Sequence, residues 1–296
     1  MQREKITKSG RLFEADFYPI LSDGRRVPSR APKTKRSTAE QERYNRKMAV
    51  KNFVRLVNAN FDTGDVYMHP TYCAENAPYT LDDAKRDIVN YFRRIKTRRA
   101  SELARLKALL KKNPDDTERC RQVIELEKPF KYAYRIEEEV YKTGARKGKS
   151  NFHFHLFMTG GLALSEVEDS WPHGARVNAN RYQPERFGPE AAAKYSTKEG
   201  QGRLKLGYSK NLDRPITPKP KDGKITAKGV ERLAKLRSED KAYWENRYKG
   251  YTFVRCYSRY NEHNGYWYVS VVMYRKEGAA ELPPWSIDDW LDDGTC

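Results

Sequence analysis

Six residues near the middle of the chain, FHFHLF at positions 152–157, constrain its fold more than any other segment. Side chains of a β-strand point alternately to opposite faces, so Phe152, Phe154 and Leu156 share one face whereas His153 and His155 share the other. Such a strand buries its apolar face and holds the two imidazoles about 7 Å apart on the other. The segment therefore predicts a half-buried strand with two histidines side by side.

Two imidazoles at this spacing can chelate one divalent ion, although two surface histidines on a half-exposed strand give the same pattern. A third ligand could come from the preceding strand-like segment, residues 130–138, if that strand is antiparallel and adjacent. Glu137 then lies beside the histidines, with Glu139 as second choice; the alternative is that both belong to a charged strand end. Two histidines and a carboxylate with open positions suit Mn²⁺ or Mg²⁺ acting on phosphate oxygens.

A second segment with chemical potential is AAAKYSTKEG, residues 191–200. Its alanines favour a helix, on which Tyr195 and Lys198 share a face because they are three residues apart. A phenol with a pKa of about 10 is a poor nucleophile, but a neighbouring ammonium favours the phenolate. Tyrosine attack on a phosphodiester conserves the bond energy in a phosphotyrosine link. The alternative is that both are ordinary surface residues, since Y-x-x-K alone is weak evidence.

Four segments together resemble the HUH endonucleases, specifically the rolling-circle replication initiators of plasmids and small single-stranded DNA phages. They read DVYMHPTY, KYAYRIEEE, NFHFHLFMTGGL and AAAKYSTKEG, and the similarity covers about residues 50–213. The resemblance implies an α+β fold in which helices flank a central antiparallel sheet, the ferredoxin-like or RRM-like nuclease palm. It also implies site roles: Tyr195 as nucleophile, Lys198 as its helper, and His153, His155 and Glu137 as metal ligands.

The activity implied by the resemblance is metal-dependent nicking and rejoining of single-stranded origin DNA, including origin hairpin DNA. The enzyme would be a site-specific endonuclease and strand transferase that forms a covalent 5′-phosphotyrosine intermediate. Relaxases and transposases use the same chemistry and are alternatives. A non-catalytic basic DNA- or RNA-binding protein is another, in which the histidines and the tyrosine are incidental.

Two features depart from the pattern of these relatives. His69-Pro70 interrupts the first motif, and since proline cannot donate to a ladder, a bulge or an edge position is expected there. His69 is then either an extra ligand or a structural or exposed histidine. Some relatives carry two tyrosines four residues apart, but Ala191 occupies that position before Tyr195. An enzyme with one tyrosine needs either a second protomer or water to complete strand transfer. The first alternative implies a possible homodimer.

The charge of the chain favours a polyanionic partner. Its 296 residues include 58 Lys and Arg against 40 Asp and Glu, a net charge of +18, and 20 Tyr and 11 Phe can stack on unpaired bases. A ribosome-associated protein and a merely soluble basic protein are the alternatives. The predicted DNA contacts lie in three basic segments and beside the tyrosine: Arg25, Arg26, Arg93, Arg94, Arg98, Arg99, Arg146, Lys147, Lys149 and Lys194.

The predicted organisation has three parts. Residues 1–37 form a basic arm, and 38–213 form the nuclease domain, in which 97–128 are a helical-hairpin insertion. Residues 214–296 contain a linker, a helix over 226–249, a β-hairpin over 251–274 with its turn at Asn264-Gly265, and an acidic tail.

Other motifs limit the partners and the location. The segment GARKGKS, residues 144–150, has three residues between its glycines where a Walker A motif needs four, so no ATPase is expected. Unwinding would fall to a host helicase, together with a single-strand binding protein. The four cysteines are far apart, which disfavours a structural zinc site, and no long apolar run predicts a membrane segment. The expected location is the cytoplasm of a bacterial host.

Overall fold

The computed structural model of the protein describes five stretches of the chain: residues 1–21, 39–144, 146–174, 177–183 and 205–276. In these residues six helices accompany two antiparallel five-stranded sheets. The predicted α+β class, with antiparallel sheet and flanking helices, is therefore confirmed.

The chain divides into two compact units that differ from the predicted domains. One unit comprises Met1–Ala59 with Asp213–Cys296, and the other comprises Asn60–Leu212. Helix α1 (Ala39–Asn60) therefore groups with the first unit, although it was predicted to begin the nuclease domain. The two ends of the chain, predicted as separate appendages, form one unit together.

The first unit contains a sheet made from both ends of the chain. Its strands are β1 (Gln2–Ser9), β2 (Leu12–Pro19), β8 (Lys221–Asp222), β9 (Tyr251–Asn261) and β10 (Tyr266–Arg275), in the order β8-β1-β2-β10-β9. The prediction of a basic arm is wrong for residues 1–21, because β1 and β2 form a hairpin with Gly10 at its turn. The basic stretch 24–36, with Arg25 and Arg26, lies outside the described residues.

The two faces of this sheet bury different chemistry. Helices α5 (Ala227–Leu236) and α6 (Lys241–Arg247) cover an apolar face that includes Phe17. On the opposite face a buried ion pair joins Glu14 of β2 to Arg55 of α1. The buried residues of β1 are themselves polar: Gln2, Glu4, Lys5, Thr7 and Ser9. A strand that buries polar residues lacks the apolar alternation by which strands are recognised, which explains why β1 was missed.

The C-terminal predictions are confirmed in part. The hairpin expected over residues 251–274 is present as β9 and β10, with Gly265 at a positive φ of 71° in its turn. The helix expected over residues 226–249 is two helices, because Asp240 starts a new one by accepting a hydrogen bond from the Tyr243 backbone N–H at 2.9 Å.

The second unit is built on a sheet whose central strand carries the two histidines of the H-x-H motif. Its strands are β3 (Val66–Pro70), β4 (Tyr132–Val140), β5 (Ser150–Met158), β6 (Val177–Arg181) and β7 (Lys205–Tyr208), in the order β6-β3-β5-β4-β7. The predicted alternation holds on β5, because Phe152, Phe154 and Leu156 are buried in one apolar core. The acidic strand β4 is antiparallel and adjacent to β5, as the ligand prediction required.

Helices cover the apolar face of this sheet. They are α2 (Leu81–Leu110), α3 (Thr117–Glu127) and α4 (Leu164–Asp169). Thr80 caps α2 by accepting the Asp83 backbone N–H at 3.1 Å. The helical hairpin predicted over 97–128 is present as the second half of α2 together with α3, and its first arm continues the core helix that begins at Leu81.

Arg99 holds the α2–α3 pair closed, which corrects its prediction as a DNA contact. Its guanidinium is buried and donates hydrogen bonds to three carbonyls at the end of α3, those of Glu125, Leu126 and Lys128, at 3.1–3.3 Å. Carbonyls at a helix end have no partner within the helix, so a side-chain donor stabilises them. Because Arg99 is already bonded and inaccessible, we do not expect it to bind phosphate.

We expect Arg99→Met to destabilise the protein by about 3 kcal/mol, because it leaves buried carbonyls without donors. Urea unfolding of the full chain measures this loss. Lys96→Met is the matched control, since Lys96 is exposed on the same helix and its replacement should change stability by less than about 0.5 kcal/mol. Equal stability of the two variants would contradict the assigned role of Arg99.

Candidate metal centre

The face of the second sheet opposite the apolar core carries polar side chains from three neighbouring strands. Directly paired residues of antiparallel strands share a face, so the register places Glu137 with His153 and Arg135 with His155. Tyr67 of β3 pairs with Phe157 and therefore lies on the same face. The residues gathered on this face are Tyr67, His69, Arg135, Glu137, Glu139, Asn151, His153 and His155.

His155 and Glu137 form the closest acid–base contact on this face. Nε2 of His155 lies 3.1 Å from a carboxylate oxygen of Glu137, and the imidazole is buried. Burial lowers the pKa of His155, although the hydrogen bond to Glu137 acts in the opposite direction. The second oxygen of Glu137 accepts a hydrogen bond from the Arg135 guanidinium at 3.3 Å. Glu137 is thus held between a cation and a neutral imidazole.

His153 makes different contacts from those of His155. Its Nε2 lies 3.0 Å from the Asn151 amide nitrogen and 3.7 Å from a carboxylate oxygen of Glu139. An amide nitrogen only donates, so Nε2 of His153 presents its lone pair to Asn151. Glu139, the second-choice ligand, is therefore nearest to His153, whereas Glu137 is nearest to His155.

His69, expected to be either an extra ligand or a structural or exposed histidine, lies beside His155. Its ring centre lies 4.2 Å from that of His155, and its Nε2 is hydrogen-bonded to the Tyr67 hydroxyl. The same hydroxyl lies 3.4 Å from Nδ1 of His155. Burial and the neighbouring His155 lower the pKa of His69 to about 4, so its ring is neutral at physiological pH.

Pro70 does not distort the strand as expected. The register of β3 against β5 continues unchanged from Met68, opposite Leu156, to Thr71, opposite His153. An inserted residue would shift this register, so the predicted bulge is absent, and β3 lies between β6 and β5 rather than at the edge. Pro70, which has no N–H to donate, is the last residue of β3, and the pairing with β5 lapses at residues 69 and 70 before the single bridge at Thr71.

The donor chemistry of this cluster fits a divalent ion, although the ligands are not fully assembled. In the described part of the chain no three His, Cys, Asp or Glu side chains already converge as a metal site. The His155 nitrogen and the Glu137 oxygen are nevertheless 3.1 Å apart, close to the separation of two adjacent ligands that each lie about 2.1 Å from an octahedral ion. The His153 side chain is 29% exposed, which leaves room for it to reorient.

The predicted nucleophile segment is not part of the described structure. Tyr195, Lys198 and Lys194 all lie in residues 184–204, outside the described residues. Their roles therefore stay predictions from the sequence.

The predicted DNA contacts divide into exposed and structural residues. Arg93, Arg98, Lys147 and Lys149 are exposed. Arg94 is half-buried and donates to the Ser170 carbonyl at 2.9 Å. Arg146, like Arg99, is buried and bonded to backbone carbonyls, which corrects its prediction as a direct phosphate contact. Charge alone cannot distinguish an arginine that meets solvent from one that ties loops together.

Comparison with protein-family models, with curated proteins and with solved structures finds no match to this chain. None of the described helices combines the length and apolar composition needed to cross a membrane.

Proposed function

We propose that this protein is a metal-dependent endonuclease that nicks and rejoins single-stranded DNA at a replication origin, as rolling-circle initiators do. The observation that carries the proposal is the polar cluster on the second sheet, where His155 and Glu137 are 3.1 Å apart on neighbouring strands. His153 and His69 share that face. Burial lowers the pKa of both His69 and His155, which favours the neutral imidazole, the form that binds metals. The net charge of +18 suits a polyanionic substrate.

The residues that would hold the ion are His153, His155 and Glu137. When bound, Mn²⁺ or Mg²⁺ would polarise the scissile phosphate and stabilise the charge that develops on its oxygens. Neighbouring side chains support two of these ligands. The Tyr67 hydroxyl contacts His155 as well as His69, and Arg135 contacts Glu137. Such supporting contacts fix the ring orientation of a ligand and tune its basicity.

The proposed reaction is a transesterification by Tyr195. The phenol gives up its proton, its oxygen bonds to phosphorus, and the bond from phosphorus to the 3′ oxygen breaks. The leaving 3′ oxygen takes up a proton, so the products are a 5′-phosphotyrosine and a free 3′ hydroxyl. The Lys198 ammonium favours the phenolate. Rejoining is the reverse step, with a 3′ hydroxyl as the nucleophile.

One observation favours a second candidate, a basic nucleic-acid-binding protein without catalysis. Within the described ranges the three expected ligands do not converge, because His153 faces Asn151 and Glu139 while His155 faces Glu137. In that case the hydrogen bond between His155 and Glu137 is simply a buried polar contact that stabilises the sheet.

A covalent-capture experiment decides between the two candidates. The full-length protein is incubated with Mn²⁺ and a pool of single-stranded oligonucleotides that carry hairpins flanked by random sequence. We expect adducts that survive denaturation, a nucleotide-bearing peptide containing Tyr195, fragments with 3′ hydroxyls, and loss of all three with EDTA. Retention of the oligonucleotides with neither cleavage nor adduct would support the non-catalytic candidate instead.

A further inference from the structure

The side chain of Tyr79 is largely exposed to solvent, yet two cationic side chains contact its ring. It directly precedes Thr80, the cap of α2, and is 70% exposed. Two cations lie against the ring: Arg146, whose guanidinium carbon is 4.6 Å from the ring centre, and Lys149, whose ammonium is 5.2 Å from it. A tyrosine that served only as core packing would bury its ring, because burial of apolar surface is what such packing contributes. Tyr79 instead presents ring surface to solvent.

Arg146 makes this arrangement rigid. Its guanidinium donates hydrogen bonds to the carbonyls of Ala74 and Pro78, each at 3.1 Å, and to that of Ala77. The same guanidinium carbon lies 5.5 Å from the centre of the Tyr141 ring. The loop that leads into Tyr79 is therefore tied to the turn between β4 and β5 by a side chain that is itself buried. An exposed ring held by buried contacts loses little conformational entropy when a ligand stacks on it.

The surroundings of the ring are basic on the side of the β4–β5 turn. Residues 142–149 contain Lys142, Arg146, Lys147 and Lys149 and no acidic residue. The nearby acids at the start of α2 are already paired, Asp82 with Lys85 and Asp83 with Arg86. The exposed lysines of the turn are therefore available to a polyanion, whereas the acids beside Tyr79 are partly neutralised.

The Tyr79 ring also lies near the start of β5, the strand that carries His153 and His155, because it contacts Lys149. Lys149 directly precedes β5, and its backbone continues the strand pairing, since the Tyr141 N–H donates to its carbonyl at 3.0 Å. Residues 149, 151, 153 and 155 share a parity, and four residues of strand separate Lys149 from His153 by about 13 Å. A few nucleotides of extended single strand span that distance.

We propose that Tyr79 is a stacking site for an unpaired base of single-stranded DNA, and that Lys149 neutralises the adjacent phosphate. Aromatic rings bind bases of any sequence in this way, because every base has a π-face. Arg146 acts as a positioning residue that holds the ring. The inference rests on the proposed function only for the path of the strand toward His153; base stacking at Tyr79 does not require cleavage.

The test is a binding measurement without metal, so that it is independent of nicking. Fluorescence anisotropy in EDTA compares a labelled 20-nucleotide oligo-dT with an abasic oligonucleotide of equal length and charge. We expect Tyr79→Ala to weaken oligo-dT binding by about 5- to 100-fold and to leave abasic binding unchanged, whereas Tyr79→Phe binds as the wild type does. Lys149→Ala should weaken both ligands and reduce the salt dependence of each.

Unchanged oligo-dT affinity of Tyr79→Ala, or an equal loss for both ligands, would overturn the stacking site. If Tyr79→Ala lowers the melting temperature, Tyr79→Leu replaces it, because leucine keeps apolar bulk but has no π-face; equal affinities of the Leu and Phe variants then overturn the proposal. If covalent capture fails but oligo-dT binding is intact and depends on Tyr79, the result contradicts the proposed nuclease activity only. The proposed stacking site is then still supported.

Discussion

Tyr195→Phe is expected to reduce strand cleavage by at least about 1000-fold and to eliminate the covalent adduct, because phenylalanine has no oxygen to attack phosphorus. The change removes one atom and no charge, so the affinity for single-stranded DNA should stay within about twofold of the wild type. Cleavage of an end-labelled oligonucleotide and anisotropy on the same substrate measure the two quantities. The combination of lost chemistry and retained binding is what distinguishes a nucleophile from a DNA contact.

Lys198→Ala provides a graded comparison for the same experiment. An ammonium that favours the phenolate contributes less than the nucleophile itself, so we expect a loss of about 10- to 100-fold, smaller than that of Tyr195→Phe. Raising the pH should recover part of this loss, because a higher pH supplies phenolate without the ammonium. An adduct that persists in Tyr195→Phe would place the nucleophile on another residue and end the assignment.

The part of the site that the sequence predicted best is the part governed by strand alternation. The parity of His153 and His155 predicted their common face, and the antiparallel pairing of β4 with β5 brings Glu137 to the position expected from the alternation of residues 130–138. These relations depend only on local geometry and on the pairing of two strands that follow one another in the chain. Such information is present in a short stretch of residues.

His69 shows where local geometry is insufficient. Its parity with Tyr67 on β3 was readable, but which strand lies next to β3 was not. The neighbour is β5, whose H-x-H motif begins 84 residues after His69, so the contact between the His69 and His155 rings depends on long-range pairing. No pattern within β3 could show that its histidine contacts His155.

Long-range pairing and buried charge also explain the remaining errors. β2 pairs with β10 across more than 250 residues, with Ser270 opposite Asp16, so the first unit could not be assembled from local patterns. Arg99 and Arg146 belong to basic segments that suggest DNA, yet their guanidinium groups satisfy backbone carbonyls. A buried arginine is recognisable only when the partners that compensate its burial are known.

His155→Gln is expected to reduce Mn²⁺ affinity by at least about 100-fold and cleavage by at least about 1000-fold, because it replaces an imidazole ligand by a weaker amide oxygen. His155 is the best choice for this test because it contacts Glu137 and lies beside His69, so its loss affects the whole cluster. Glutamine preserves a polar side chain at the buried position, which limits the loss of stability. Calorimetric titration with Mn²⁺ measures binding without requiring any DNA.

Two further variants make the result interpretable. His263→Ala is the matched control, since His263 lies in the exposed turn between β9 and β10 of the first unit, and it should bind Mn²⁺ and cleave as the wild type does. His69→Ala tests whether the third imidazole belongs to the ligand set: a loss of Mn²⁺ affinity as large as that of His155→Gln assigns it a direct bond, whereas a loss of about 10-fold assigns it a supporting contact. If His155→Gln retains both Mn²⁺ affinity and the normal cleavage rate while melting at the wild-type temperature, the polar face of the second sheet is not a metal centre, and the hydrogen bond between His155 and Glu137 is structural.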